Sequence, residues 1–250
     1  CPVLKPSYVG AGVFEPDARE IDVHALHQGF VRGARRLGTS IQPSSQVVAL
    51  EQTRNGWTLT TSSGRWDTGV VVNAAGAWCD EVARLAGARP VGLQPMRRTA
   101  FTFPAPEGVD VRGLPFINDV DEQWYFKPEG VGFLGSLSEE TPMEPHDVSH
   151  TERDVALAIK RISAAVTFPI RHVHSAWAGL RSFVADRIPV IGADDELPGF
   201  FWLAGQGGFG IMTSPASARA LAGLVTEGGL PPDVKEGGLE AEDLAPARLR

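Results

Sequence analysis

The chain has 250 residues, 43% of them hydrophobic, enough for one large or two small domains with a packed interior. Its net charge of −7, with no basic cluster beyond Arg35-Arg36 and Arg97-Arg98, argues against a surface for nucleic acid or anionic membranes and leaves small molecules as the expected partners. Two cysteines, Cys1 and Cys79, make no disulfide framework and suit a reducing, cytoplasmic setting; no apolar run approaches the ~20 residues of an integral membrane segment.

Residues 19–37 place Val23, Leu26, Phe30 and Ala34 at helical spacing, with Asp22 as a start signal and Gly38 as a stop, and predict an amphipathic helix. Residues 46–52 and 57–62 alternate apolar and polar around "RNG", a hairpin pattern, and a second turn at Ser63-Gly64 leads to "VVVN". That run, Val70 to Asn73, is short and apolar and reads as a strand buried on both faces. "AAGAWCDEVARLAG" follows as a tight turn and a helix ending near Gly87, so strand, turn and helix have the order of a nucleotide-binding crossover.

From residue 90 the segments "LQPMRRTAFTF", "GLPFIND", "QWYFKPEG" and "VGFLGSL" are β-rich, a helix is expected over 151–166, and "RHVHSAWAGLRSF" returns to strand. Residues 90–180 therefore read as a mostly antiparallel α+β insert in an α/β portion formed by 1–89 and 181–250. Only the last fifteen residues look disordered.

Gly205, Gly207 and Gly210 satisfy G-x-G-x-x-G between the apolar run "FFWLA" and a helix starting at 211–214. A dinucleotide fold would need a second parallel strand with an acidic residue after that helix, and "TEGGLPPDVKEGG" cannot form it, which disfavours an NAD-dependent dehydrogenase. Two readings stay open: the glycines let the chain turn, or they admit a ligand to backbone amides at the positive end of a helix. Neither histidine pair, His24/His27 or His172/His174, has the carboxylate or thiolate neighbours of a metal site, so no metal is expected.

"VVNAAGAWCDEVARLAG", "WAGLRSFVADRIPVIG" and "FFWLAGQGGFGIMTSPASARALAGL" resemble segments of the FAD-dependent D-amino-acid oxidoreductases, the family of D-amino-acid and glycine oxidases. "EIDVHALHQGF", "GLQPMRRTAF" and "QWYFKP" also resemble its D-arginine dehydrogenases, and the likeness spans essentially the whole chain. The resemblance implies FAD as cofactor and an incomplete glutathione-reductase-like FAD-binding domain carrying an inserted substrate domain. It makes the chain, which begins at Cys1, the C-terminal two-thirds of a longer protein, with the primary fingerprint on a missing N-terminal segment or a partner chain.

The implied activity is oxidative deamination of D-amino acids to 2-oxo acids, by hydride transfer from substrate Cα to flavin N5. The resemblance puts Val47 and Val48 near the adenine, Ala74, Ala75 and Gly76 along the nucleotide, Trp78 at its wall, and Gly205, Gly207, Gly210, Ile211, Met212 and Thr213 at the flavin. A substrate carboxylate calls for guanidinium groups, for which Arg98 and Arg181 are the candidates, with a one-residue register ambiguity between Arg97 and Arg98. Tyr125 would complete the clamp and the Gly208 carbonyl would take the amine; no side chain presents itself as a general base. The alternative is a catalytically silent truncated fragment, or one subunit of a hetero-oligomeric amine or amino-acid dehydrogenase.

Overall fold

A computed structural model describes residues 1–250. Helix α1 (Val23–Arg36) starts where the Asp22 side chain accepts the Ala25 N–H at 2.9 Å. Strands β1 (Val47–Thr53), β2 (Gly56–Thr61) and β3 (Gly64–Thr68) form an antiparallel meander. Strand β4 (Val71–Asn73) leads through a short 3₁₀ turn into helix α2 (Cys79–Ala86), which ends on Gly87 in the left-handed conformation.

Next come β5 (Gln94–Pro104), β6 (Ile117–Asn118), β7 (Tyr125–Glu129), β8 (Gly132–Ser136) and β9 (Thr141–Pro142). Helix α3 (Glu152–Ala165) is capped by the Thr151 hydroxyl, and β10 (Ser175–Phe183), β11 (Val190–Ala193), β12 (Phe200–Ala204) and helix α4 (Gly210–Thr226) complete the main elements.

The chain divides into two compact units, 1–16 with 95–181, and 17–94 with 182–250. This differs from the expected division in the first sixteen residues, which join the antiparallel unit. Val3 is buried in that unit's core beside Val166, Leu4 bridges to Val166, and Lys5 donates to the carbonyl of Ala165 and, through Nζ, to that of Ser163. Two apolar side chains in a Pro- and Gly-rich stretch carry no periodicity, so the sequence alone leaves this docking unseen.

In the first unit the sheet order is β10-β5-β8-β7-β6, with β9 also on β5. One sheet face carries Phe101, Phe103, Phe126 and Phe133, packed with Ile162, Ala158 and Val155 of α3. Gly135 is tailored to that packing: a Cβ there would lie 3.0 Å from both Ile162 and Phe101.

The second unit holds the meander and a three-stranded sheet ordered β11-β12-β4, in which β12 and β4 run parallel with Trp202 opposite Asn73. Phe200, Trp202, Val190 and Ala83 form its core. Val72 is exposed, contrary to the expectation of a strand buried on both faces, because alternation turns it to an uncovered face while Val71 and Asn73 point to the packed one. The last fifteen residues are also ordered: Leu244 and Pro246 are buried, and Arg248 and Arg250 pair with Asp186 and Asp194. No helix is long and apolar enough to cross a membrane.

Candidate active site

Period-two alternation along β5 sends Arg97 and Arg98 to opposite faces of the sheet. Arg97 Nη2 donates to Asp154 Oδ2 at 2.6 Å, on the α3 side, where Asp154 also accepts the Thr151 hydroxyl at 2.7 Å. Arg98 lies on the face away from α3. Its Nε donates to the backbone carbonyl of Glu139 at 2.7 Å, and its Nη2 pairs with Glu140 at 3.4 Å. The two arginines thus take opposite faces: Arg97 is held by Asp154 of α3, and Arg98 by the Glu139 carbonyl and Glu140.

Burial of Arg98, and then the nearby Arg181 guanidinium, lower its pKa, while Tyr125, Glu140 and Glu139 act in the opposite direction. Arg181 and Tyr125 each therefore sit within electrostatic reach of Arg98, in the same unit. Tyr125 stands opposite Ser136, which stands opposite Ala100, so these three share the face of Arg98; the Tyr125 ring packs on Phe116 at 5.3 Å between centroids. Arg181 is half-buried, and its side chain makes no hydrogen bond or ion pair. Trp177, two steps of alternation before Arg181 on β10, is exposed on the same face, and the sequence reading passed over it.

In the second unit the parallel pair β12 and β4 brings two turns to one carboxyl edge, the place where open α/β sheets bind ligands. One turn is Ala74-Ala75-Gly76, with Ala74 and Gly76 exposed, Ala75 half-buried and open space above Gly76. Buried Asn73 shapes it, donating to the Cys79 carbonyl at 2.8 Å and accepting the Ala75 N–H at 3.4 Å. Trp78 follows, partly exposed. Burial pushes the Cys79 thiol beneath it up to about 12, so this cysteine is an inert core residue at neutral pH.

The other turn is the glycine loop. Gly205 and Gly207 have φ of 68° and 55°, Gly207 N–H donates to the Ser182 carbonyl at 2.9 Å, and a Cβ on Gly207 would stand 2.7 Å from the Phe183 ring. The positive φ at both glycines and the crowding behind Gly207 fix the path of the turn. Gly208 is exposed. Helix α4 then begins without a side-chain cap, leaving the N–H groups of Gly210, Ile211 and Met212 without protein acceptors, while Thr213 N–H bonds to the Phe209 carbonyl.

Around those amides Phe209, Ile211 and Met212 are 66%, 49% and 62% exposed, and Gln206 Oε1 is buried without a partner. Uncapped donors, a glycine and exposed apolar side chains suit a flat heterocycle with carbonyl oxygens, so this edge fits the ring of a flavin. Val47 and Val48 lie in the meander, Val47 half-buried and Val48 half exposed.

The chain thus has an α/β unit with a glycine turn at the carboxyl edge of its parallel strands, and an antiparallel unit bearing Arg98 and Arg181. Residues 1–224 match the FAD dependent oxidoreductase family (DAO), and the chain belongs to it; FAD is that family's cofactor. The chain is 30% identical to bovine "FAD-dependent oxidoreductase domain-containing protein 1" over 64% of its own length and 36% of the relative. It is 24% identical to human "Dimethylglycine dehydrogenase, mitochondrial" over 94% of the chain and 29% of that protein. The chain thus spans about a third of the length of these curated relatives. Among solved structures, L-proline dehydrogenase from P. horikoshii superposes with a TM-score of 0.72 at 22% identity, covering 90% of this chain and 59% of that one. Glycine oxidase from Geobacillus kaustophilus gives 0.68 at 22% identity, covering 81% and 53%.

Proposed function

We propose that this chain carries the substrate clamp and the flavin-facing turn of an enzyme that oxidatively deaminates D-amino acids to 2-oxo acids. The observation that carries the reading is the guanidinium pair: Arg181 has no counter-ion, stands close enough to half-buried Arg98 to lower its pKa, and has Tyr125 nearby. Arg98 has Glu140 at 3.4 Å while Arg181 has no counter-ion, and this surplus cation favours a bound carboxylate, gripped by guanidinium N–H donors with the Tyr125 hydroxyl as a third. Glycine, proline and dimethylglycine, in the names of the similar proteins, all have a carboxylate beside an amine-bearing carbon.

The Gly208 carbonyl would accept a hydrogen bond from the substrate amine and align it, a role in which orientation matters more than a strong base. When bound, FAD supplies the acceptor, at N5, for the hydride that leaves substrate Cα. Gly205, Gly207 and Gly210 would shape the flavin-facing turn, with Ile211, Met212 and Thr213 in the first turn of α4. The uncapped amides of Gly210 and Ile211 would stabilise negative charge on the pyrimidine side of that ring. Val47, Val48, Ala74, Ala75, Gly76 and Trp78 would follow the nucleotide. Loss of the amine proton leaves an imino acid, which water converts to the 2-oxo acid and ammonia.

The D-configuration and a preference for D-arginine-like substrates rest on the sequence resemblance. So does the assignment of 1–89 with 181–250 to FAD binding and of 90–180 to the substrate; of the compact units, 17–94 with 182–250 would be the FAD-binding one and 1–16 with 95–181 the substrate-binding one. Two unpaired cysteines favour a reducing, cytoplasmic setting. A specific feature favours a second component: β4 has a free edge, and α1 buries no residue although its apolar stripe is regular. A segment or partner chain outside these residues would cover both and hold the pyrophosphate, and the 250 residues alone would be silent.

The deciding experiment follows flavin absorbance of the full-length protein under anaerobic conditions with matched D- and L-amino acids, D-arginine included. Bleaching by D-enantiomers alone is the expected result; equal bleaching by L-enantiomers overturns the stereochemical assignment, and a full-length protein without flavin overturns the whole reading. The 250-residue chain alone is expected to purify colourless.

A further inference from the structure

We infer that Glu139 is the positioning residue that aims Arg98, and that the excursion 137–140 is the segment that sets the grip on the substrate carboxylate. The inference rests on the carboxylate-clamp reading above and goes beyond it.

The sheet ladder is interrupted beside Arg98. Strand β5 pairs with β8 at Ala100 opposite Ser136, and with β9 at Arg97 opposite Thr141. Four residues, 137–140, thus stand against only Thr99 and Arg98. Bulges of this kind re-aim side chains next to active sites. Ser138, inside the excursion, has φ of 60°, in the left-handed region.

The backbone groups of Thr99 that lose their ladder partners are met by side chains. Glu139 Oε1 accepts the Thr99 N–H at 2.7 Å, and the Ser136 hydroxyl donates to the Thr99 carbonyl at 2.6 Å. Glu139 therefore holds β5 twice: its carboxyl fastens Thr99, and its own carbonyl accepts the 2.7 Å bond from Arg98 Nε. That carbonyl is the short contact of the Arg98 guanidinium, since the Glu140 contact is longer at 3.4 Å. Wherever the Thr99 bond places the Glu139 backbone, the guanidinium plane follows.

The carboxyl pays for this position. Its Oε2 is buried without a partner, and burial raises its pKa, with Asp154 adding to the rise and the Thr99 bond opposing it. Only an acceptor at Oε1 is needed for the geometry, so an amide serves as well as a carboxylate, whereas a shorter side chain cannot reach.

The test uses the full-length flavoprotein and titrates benzoate, a simple carboxylate probe, into E139Q, E139D, E139A and R181A. E139Q is expected to bind benzoate within about twofold of wild type. E139D and E139A are expected to weaken it roughly tenfold and to raise KM for the amino acid by a similar factor, with kcat changed less than about threefold. Wild-type affinity in E139D, or an equal loss in E139Q and E139D, overturns the proposal; should E139A not fold, the Gln and Asp variants still decide. R181A separates the two layers: unchanged benzoate binding there overturns the carboxylate clamp, while weakened binding there beside an unaffected E139D overturns only the role of Glu139.

Discussion

Replacing Arg97 with methionine removes one member of a half-buried ion pair and leaves Asp154 with only its Thr151 contacts, a loss of about 2 kcal/mol for a charge-assisted hydrogen bond. Replacing Arg98 removes a cation that burial and Arg181 already disfavour, so the stability loss is expected to be smaller than for Arg97. The binding consequences run the other way. In the full-length protein R97M is expected to keep wild-type affinity for a carboxylate probe, and R98M to lose roughly tenfold or more. Urea unfolding and probe titration of both variants check this, and a shared phenotype would mean that the two faces of β5 are not functionally separate. The sequence placed both arginines on one strand and favoured Arg98, with a one-residue ambiguity in register. What each arginine meets depends on Asp154 of α3, 57 residues from Arg97, and that is tertiary information.

Among the elements, those that carry local signals were the legible ones. Helix α1 begins at the cap read from Asp22, α2 stops at Gly87, and the hairpin turns where "RNG" places it. Strand β3 went unread because all five of its residues are exposed, so no apolar alternation marks it. The 137–140 excursion was equally silent, since a bulge shows only when the partner strand's register is known. The late glycine turn was legible as a turn, while the crowding behind it was not: Phe183, packed at 4.1 Å under the Arg187 guanidinium, occupies the space a Cβ on Gly207 would need. Substituting Gly207 by alanine therefore carries two costs, a positive φ and a 2.7 Å clash, together about 2 kcal/mol. In an F183A background the steric part disappears and the cost of G207A is expected to fall to about 1 kcal/mol. A double-mutant cycle by urea unfolding measures the difference, and zero coupling would show that backbone strain alone fixes this glycine.

For the molecule as a whole, the order of the last residues depends on ion pairs that acid can dismantle. Burial by itself pushes the Asp194 carboxyl up, but hydrogen bonds from the Trp202 indole, Arg250 and the Glu196 backbone N–H together hold it below its usual value. Asp186 is held low chiefly by its hydrogen bond from Arg248, against a smaller effect of burial. A carboxyl whose folded pKa is depressed adds stability that is complete above its unfolded pKa, near 4, and disappears as pH falls through the folded value. Removing Arg250 leaves Asp194 with its indole and backbone donors, so the carboxylate is weakened rather than stranded, at a cost of about 2 kcal/mol at pH 7. The melting temperatures of wild type and R250A in the full-length protein should consequently differ at pH 7 and converge as pH is lowered from about 4 toward 2. A gap that keeps its size down to pH 2 would mean that Arg250 contributes packing against Asp194 and Arg89 rather than charge. A gap that widens in acid would place its partner among groups whose pKa is raised by folding.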